Sequence, residues 1–209
     1  MKIGIIGANG KSGSLIVKEA LAKGIDVTAI VRDANKVSGL PVIEKDIMSL
    51  TYEDLKGFDV VIDAFAAWTQ ETLMLHQTTL KHLSDILSGS NIRLLVVGGA
   101  GSLYVNSEHT MQVKDTEGFP DAFKPLATNM SLGLDALRKR VDVRWTYLSP
   151  AADFVADGER TGKYVFGEEE LIVNSSGVSQ ISYADYVIAM VDEIINANHI
   201  NKRFTVVAK

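Results

Sequence analysis

The chain has 209 residues, no cysteine and a formal net charge of −5. That length suits one α/β domain with a sizeable core, and the missing cysteines exclude a disulfide scaffold, a thiolate metal site and a cysteine nucleophile. An acidic chain without a basic cluster is a poor nucleic-acid binder, because phosphate contacts dominate that affinity. No apolar run reaches the roughly 18 residues of a membrane span. Met1–Gly4 runs straight into a glycine motif with no secretory pattern ahead of it, so a cytoplasmic protein is expected.

In chain order, short β-rich runs alternate with helical patterns. Lys2–Ile6 is an apolar run closed by glycines and reads as a buried parallel strand. Lys11–Lys23 carries Leu15, Ile16, Ala20 and Leu21 at helical spacing, with Gly24 as the stop. Asp26–Val31, Pro41–Lys45 and Val60–Phe65 read as strands two to four, and Gln70–Ser88 as a long helix closed by Gly89. Arg93–Val97 is a fifth strand, Asp121–Arg140 is mostly helical, and Arg144–Leu148 is a sixth strand. The order predicts a single Rossmann-type domain, an α/β doubly wound and mostly parallel sheet with helices on both faces. After Pro150 come loops, two or three short strands and the helix Tyr183–Asn196, read as a small substrate-covering lobe over 151–209.

The sharpest signal is GANGKSG at 7–13, between the first strand and the first helix. Gly7 permits a tight turn, Gly10 lets backbone approach a pyrophosphate, and Gly13 lets helix and strand pack closely. The helix amino terminus then offers free N–H groups to the anion. Asn9, Lys11 and Ser12 complete this turn. A P-loop is disfavoured, because position 5 is Ile5 where that motif needs glycine. About 20 residues on, Arg32 is placed to pair with a 2′-phosphate, while Asp33 could take a ribose hydroxyl instead. NADPH is therefore favoured, with NADH possible. The expected cofactor set extends to Asp46 and Ile47, to Ala64, Phe65 and Ala66, and to Gly98.

Catalytic groups are harder to find. Tyr52-x-x-x-Lys56 mimics a short-chain dehydrogenase pair but lies between strands three and four and reads as a surface turn. The helix that should carry the pair, Asp121–Arg140, has no tyrosine. His76 and His82 are six apart and do not share a metal-binding helix face, and no metal site is expected. His109 reads as a loop residue. The glycines of Gly98–Leu103 suggest close packing against a flat ligand. Gly101, Ser102 and Leu103 become substrate contacts, with Ser102 as a hydrogen-bond donor and the one catalytic candidate. Tyr147, Ser149 and Pro150 end strand six at the same edge and join the substrate set. Ser182-x-x-Asp185 reads as a capping box.

GANGKSG at 7–13, VRD at 31–33, VVGGAGSL at 96–103, WTYLSPA at 145–151, GERTGKY at 158–164 and GVSQISYADY at 177–186 together give a resemblance to a known group. The chain resembles the atypical short-chain dehydrogenases with an NmrA-like NAD(P)H-binding fold, and more narrowly the bacterial NADH-flavin reductase family, itself related to mammalian biliverdin reductase B. The resemblance implies a dinucleotide on the first turn and no tyrosine-lysine relay. A flavin or quinone-like acceptor fits that absence, since hydride transfer between two stacked rings needs positioning and exclusion of water. Backbone N–H groups near Gly101–Leu103 could then meet charge developing on the acceptor. The alternatives are a regulatory protein that senses NADP(H) without consuming it, or an isomerase or dehydratase. The protein is expected to act on a small molecule as a monomer or homodimer.

Overall fold

The computed structural model describes residues 1–209. Its elements are β1 (Lys2–Ile6), α1 (Lys11–Ala22), β2 (Asp26–Val31), β3 (Val42–Glu44), α2 (Tyr52–Leu55), β4 (Val60–Asp63), α3 (Leu75–Ile86) and β5 (Arg93–Val97). There follow α4 (Lys124–Arg138), β6 (Arg144–Ser149), β7 (Asp153–Val155), β8 (Tyr164–Gly167), β9 (Gln180–Ser182), α5 (Tyr183–Asn196) and β10 (Lys202–Ala208). Eight strands form one sheet in the order β3-β2-β1-β4-β5-β6-β10-β8, and β7 pairs with β9 in a separate small sheet. Every neighbouring pair is parallel except β8 with β10. No helix is long and apolar enough to cross a membrane.

Both faces of the sheet are covered, which is why β1 and β5 are apolar without alternation. On one face Ile3, Ile5, Ile62, Leu95 and Leu148 pack with Ile16 and Ala20 of α1 and Met190 and Val191 of α5. On the other, Val61, Leu94, Val96 and Trp145 pack with Leu80 and Leu83 of α3 and Leu134 and Leu137 of α4. The strand order reverses at β1 and β4: β2 and β3 extend to one side of β1, and β5, β6 and β10 to the other side of β4. In an open α/β sheet the crevice at such a point, beyond the carboxyl ends of the strands, is the place for a ligand.

Several elements differ from the sequence reading. The long helix over Gln70–Ser88 is a 3-10 turn at Gln70–Thr72 followed by α3. Asp121–Arg140 likewise opens with a 3-10 turn, and α4 begins only at Lys124, with Pro125 in its first turn where a missing N–H costs nothing. β4 stops at Asp63, two residues early, because the Asp63 carboxylate takes the Phe65 N–H and bends the chain away from the ladder. Tyr52–Lys56 does lie on the surface, as a one-turn helix capped by Thr51 and Asp54, with Lys56 paired to Glu53. The covering lobe over 151–209 is smaller than the sequence predicts. α5 and β10, a strand whose bounds the sequence reading does not set, are built into the main core through Tyr186, Met190, Ile194, Phe204, Val206 and Val207.

Phe204→Ala tests that integration. It is expected to lower unfolding free energy by about 3–5 kcal/mol in urea titration, the usual consequence of emptying a core aromatic site. A loss below about 1 kcal/mol would mean the last strand lies outside the core.

Candidate functional site

The turn between β1 and α1 is built from three glycines with different duties. Gly7 has φ of +71°, and a Cβ there would lie 2.8 Å from the Ala64 carbonyl oxygen at the end of β4. A Cβ on Gly13 would lie 2.1 Å from the Gly7 carbonyl oxygen, so only glycine lets α1 come this close to β1. A Cβ on Gly10 would meet the Gly7 carbonyl oxygen at 3.1 Å and nothing else, so its outer side is open. The first intrahelical bond is Ser14 N–H to Gly10 O (2.9 Å), and no side chain caps the helix. The N–H groups of Lys11, Ser12 and Gly13 are thus without partners in the chain, beside an exposed backbone at Asn9–Lys11. A three-turn helix with free donors over a glycine cradle fits the pyrophosphate of a dinucleotide.

The ends of β2, β3 and β4 flank this cradle. Arg32 is exposed and makes no ion pair or hydrogen bond. Asp33 is half engaged: its Oδ1 accepts from the backbone and side-chain amides of Asn35, both at 3.1 Å, while its Oδ2 has only Lys36 Nζ nearby, at 3.8 Å. Asp46 caps the following 3-10 turn by accepting from Met48 N–H (2.9 Å), and Ile47 is buried behind it. Ala64, Phe65 and Ala66 follow β4, with Phe65 packed edge-on against His76 at 5.6 Å.

The glycines after β5 serve a different purpose from the one the sequence suggests. A Cβ on Gly98 would lie 2.1 Å from the Tyr147 ring, and one on Gly101 2.6 Å from Ala127 Cβ of α4. Close internal packing fills these spaces, not a flat ligand. Gly98 also spends its N–H on Leu148 O (2.8 Å), and Leu103 spends its own on Ala100 O (2.9 Å). Of the substrate set, Ser102, Leu103, Tyr147, Ser149 and Pro150 are buried, and only Gly101 is partly exposed. Ser102 Oγ accepts from the buried Arg203 guanidinium (3.2 Å), which also holds Glu169. Ser102 is therefore turned inward, into a structural ion network.

Two other expectations are refined. Ser182 caps α5 by accepting from Asp185 N–H (3.0 Å). The Asp185 carboxylate does not reach back as a capping box requires. It takes the N–H of Thr161 (3.0 Å) and Gly162 (2.8 Å) and the Thr161 hydroxyl (2.6 Å). Arg160 of that same segment pairs with Glu19 on α1 (2.9 Å), so the GERTGKY loop is tied to both helices on that face. His109 has φ of +52°, stacks on Tyr104 and pairs with Glu170 at 2.5 Å on the surface.

The sequence reading missed Asp63. It ends β4 as a carboxylate only 5% exposed, accepting one hydrogen bond, from Phe65 N–H at 3.0 Å. Burial pushes its pKa up to about 6, and that single bond only partly opposes the rise. It lines a cavity of about 20 Å³ with Phe65, His76, Thr79, Met130 and Tyr147, room for one water. Burial likewise holds Tyr147 up at about 12 and lowers His76. The available signal was a lone acid closing the apolar run VVID.

Comparison with known proteins places this geometry among relatives. Residues 7–194 match the model of a family described as NAD(P)H-binding. The chain is 46% identical over 211 residues to YwnB of Bacillus subtilis, an uncharacterized protein, covering all of this chain and 99% of the other. The crystal structure of SP1627 from Streptococcus pneumoniae, a “putative NADH-flavin reductase”, shares 47% identity with a TM-score of 0.97 over the whole of both chains. A Bacteroides thetaiotaomicron protein described as a “putative epimerase” shares 37% identity with a TM-score of 0.86, over 99% of this chain and 96% of that one.

Two outcomes follow from this geometry. Gly10→Val is expected to abolish dinucleotide binding by calorimetry and leave the protein folded, whereas Gly13→Ala loses stability as well, because its Cβ forces α1 outward. Equal stability loss in both would show that Gly10 is packed rather than open. For Asp63, the folded pKa lies above the unfolded value, so its contribution is fully present below about pH 4 and is lost as pH rises through about 6. Asp63→Asn removes a penalty of roughly 3 kcal/mol, so it should raise the melting temperature more at about pH 8 than at about pH 5. A pH-independent difference would mean that the carboxylate is solvated.

Proposed function

The chain belongs to the NAD(P)H-binding family matched over residues 7–194, and from that premise we propose that it is an NADPH-dependent reductase passing hydride to a flavin- or quinone-like acceptor. The observation that carries this reading is the pairing of an uncapped α1 over the Gly7–Gly13 cradle with an unpaired Arg32 at the end of β2. One oxygen of the neighbouring Asp33 carboxylate, the group that would favour NADH, is engaged by Asn35, and Lys36 lies 3.8 Å from the other. A planar guanidinium suits a 2′-phosphate, with which it makes charge-assisted hydrogen bonds. When bound, the nicotinamide supplies the hydride. Lys11, Ser12 and Gly13 would hold the pyrophosphate through their N–H groups, and Ala64–Ala66 would border the nucleotide as it crosses the switch point. α4 brings Met130 to the cavity beside β4 and β5, and the tyrosine on its wall, Tyr147, comes from β6 with no lysine beside it. An acceptor that needs stacking more than a tyrosine-lysine pair suits such a site. The name of the Streptococcus pneumoniae relative supports this class of acceptor.

Loss of reduced-nicotinamide absorbance against a panel of flavins, quinones and small carbonyls tests the reaction. Turnover with a flavin or quinone is expected, whereas tight binding without consumption contradicts the reading and favours a nucleotide-sensing role. Cofactor choice is tested separately. Arg32→Ala should weaken NADPH binding about 10- to 100-fold, the loss of one or two charge-assisted bonds. NADH binding should stay within about twofold. Equal losses would mean that Arg32 does not read the phosphate.

A further inference from the structure

Asp63, Val96 and Tyr147 are paired in register across β4, β5 and β6, so their side chains stand at one level on one face of the sheet. That face is covered by His76, Thr79 and Leu80 from α3 and Met130 from α4. Asp63 and Tyr147 reach the same water-sized cavity from either side of Val96. Because Gly98 has no side chain, the Tyr147 ring leans over it toward the carboxyl edge of the sheet, where its hydroxyl accepts from Gly99 N–H at 3.4 Å.

Counting donors and acceptors narrows what the cavity can do. The Thr79 hydroxyl is spent on Leu75 O (2.6 Å), and His76 Nε2 lies against the Ala67 peptide, 3.0 Å from its oxygen and 3.3 Å from its nitrogen. Three groups keep spare capacity: the Asp63 carboxyl, with one partner, the Tyr147 O–H, which accepts a bond but donates none, and His76 Nδ1, which makes no hydrogen bond; of these, Asp63 and Tyr147 face one another across Val96. One water between them would satisfy both. Arg203 on β10 and Arg138 on α4 lie close enough to Tyr147 to favour its anion, while Asp63 opposes it. His76 is the remaining titratable group on the cavity wall, held toward its neutral form by burial.

We propose that Asp63, a water in this cavity and Tyr147 form the proton supply of the reductase site. The inference rests on the reductase reading. The acceptor gains a hydride, with its electron pair, from the reduced nicotinamide. The Tyr147 O–H bond breaks as an H bond forms to the reduced heteroatom of the acceptor. The water returns a proton to the phenolate and takes one from Asp63, which is refilled from solvent. The sum is one NADPH, one acceptor and one proton giving NADP⁺ and the two-electron-reduced acceptor. A buried acid beside a crevice is the kind of group that active sites keep despite its penalty to stability.

The experiment compares wild type, Asp63→Asn, Asp63→Glu and Tyr147→Phe. NADPH affinity is measured by calorimetry, kcat is followed across about pH 5–9 with a quinone or flavin acceptor, and the apoprotein's carboxylic acid band is read by difference infrared spectroscopy. The wild-type kcat should fall as pH rises through about 6, and the apoprotein should show a protonated carboxyl that titrates in the same range and is missing from Asp63→Asn. Asp63→Asn and Tyr147→Phe should bind NADPH as wild type does and lose about 10- to 100-fold in kcat, and Asp63→Asn should lose the alkaline limb. Asp63→Glu should keep that limb at a shifted position, and it stands in if the Asn variant fails to fold. Unchanged kcat and pH profile, or loss of NADPH binding in step with kcat, would overturn the relay. Wild type that binds NADPH but reduces no acceptor would instead defeat the reductase reading, and the relay with it.

Discussion

The approach of α1 to the end of β1 is the constraint on which the site depends. Helix and strand meet where Gly13 faces the Gly7 carbonyl, at a spacing that would put any Cβ 2.1 Å from that oxygen. Gly7 in turn lies against the Ala64 carbonyl, so the loops after β1 and β4 interlock at the point where the sheet order reverses. The consequence is chemical. With no side chain between them, the free N–H groups of the first helical turn face the crevice, and the macrodipole adds to their attraction for an anion. Ile16 and Ala20 hold the helix in place from below, and the Glu19–Arg160 pair ties it to the loop before β8.

The same residue type does other work elsewhere. Gly98 is as crowded as Gly13 and Gly101 somewhat less so, but their neighbours are Tyr147 and Ala127, parts of the protein's own interior. Their absent side chains let β6 and α4 close on the end of β5, which turns Ser102 inward toward Arg203 and leaves little open surface on that loop. The crevice beyond β5 and β6 therefore depends on packing between elements distant in sequence, while the glycine turn ahead of α1 is local.

That contrast explains what could be read from the sequence. The β-α alternation, the buried strands and the glycine turn ahead of α1 are encoded over short spans, by apolar periodicity and by Gly7, Gly10 and Gly13. The position of Arg32, just past the end of β2, was legible for the same reason. Not legible were the partners that fill the space above Gly98 and Gly101, because Tyr147 and Ala127 lie tens of residues away. Nor was the splitting of the helices at Gln70 and Asp121, where local turns compete with apolar periodicity. The strands expected after Pro150 had no bounds, and KRFTVVA was not singled out because it follows a helix and lacks the flanking glycines that bracket runs such as Arg93–Val97. Asp63 was overlooked because one acid closing an apolar strand looks like a boundary. Its burial emerges only when α3 and α4 cover it.

The central claim is that the first turn of α1 holds the phosphates of a reduced dinucleotide. Its most direct test is a titration of the ¹⁵N-labelled protein with NADPH, followed by the shifts of its amide resonances. The account predicts the largest changes at the amides of Gly10, Lys11, Ser12 and Gly13, with Arg32 shifting for NADPH and not for NADH. Shifts centred elsewhere, with 10–13 unmoved at saturation, would contradict it.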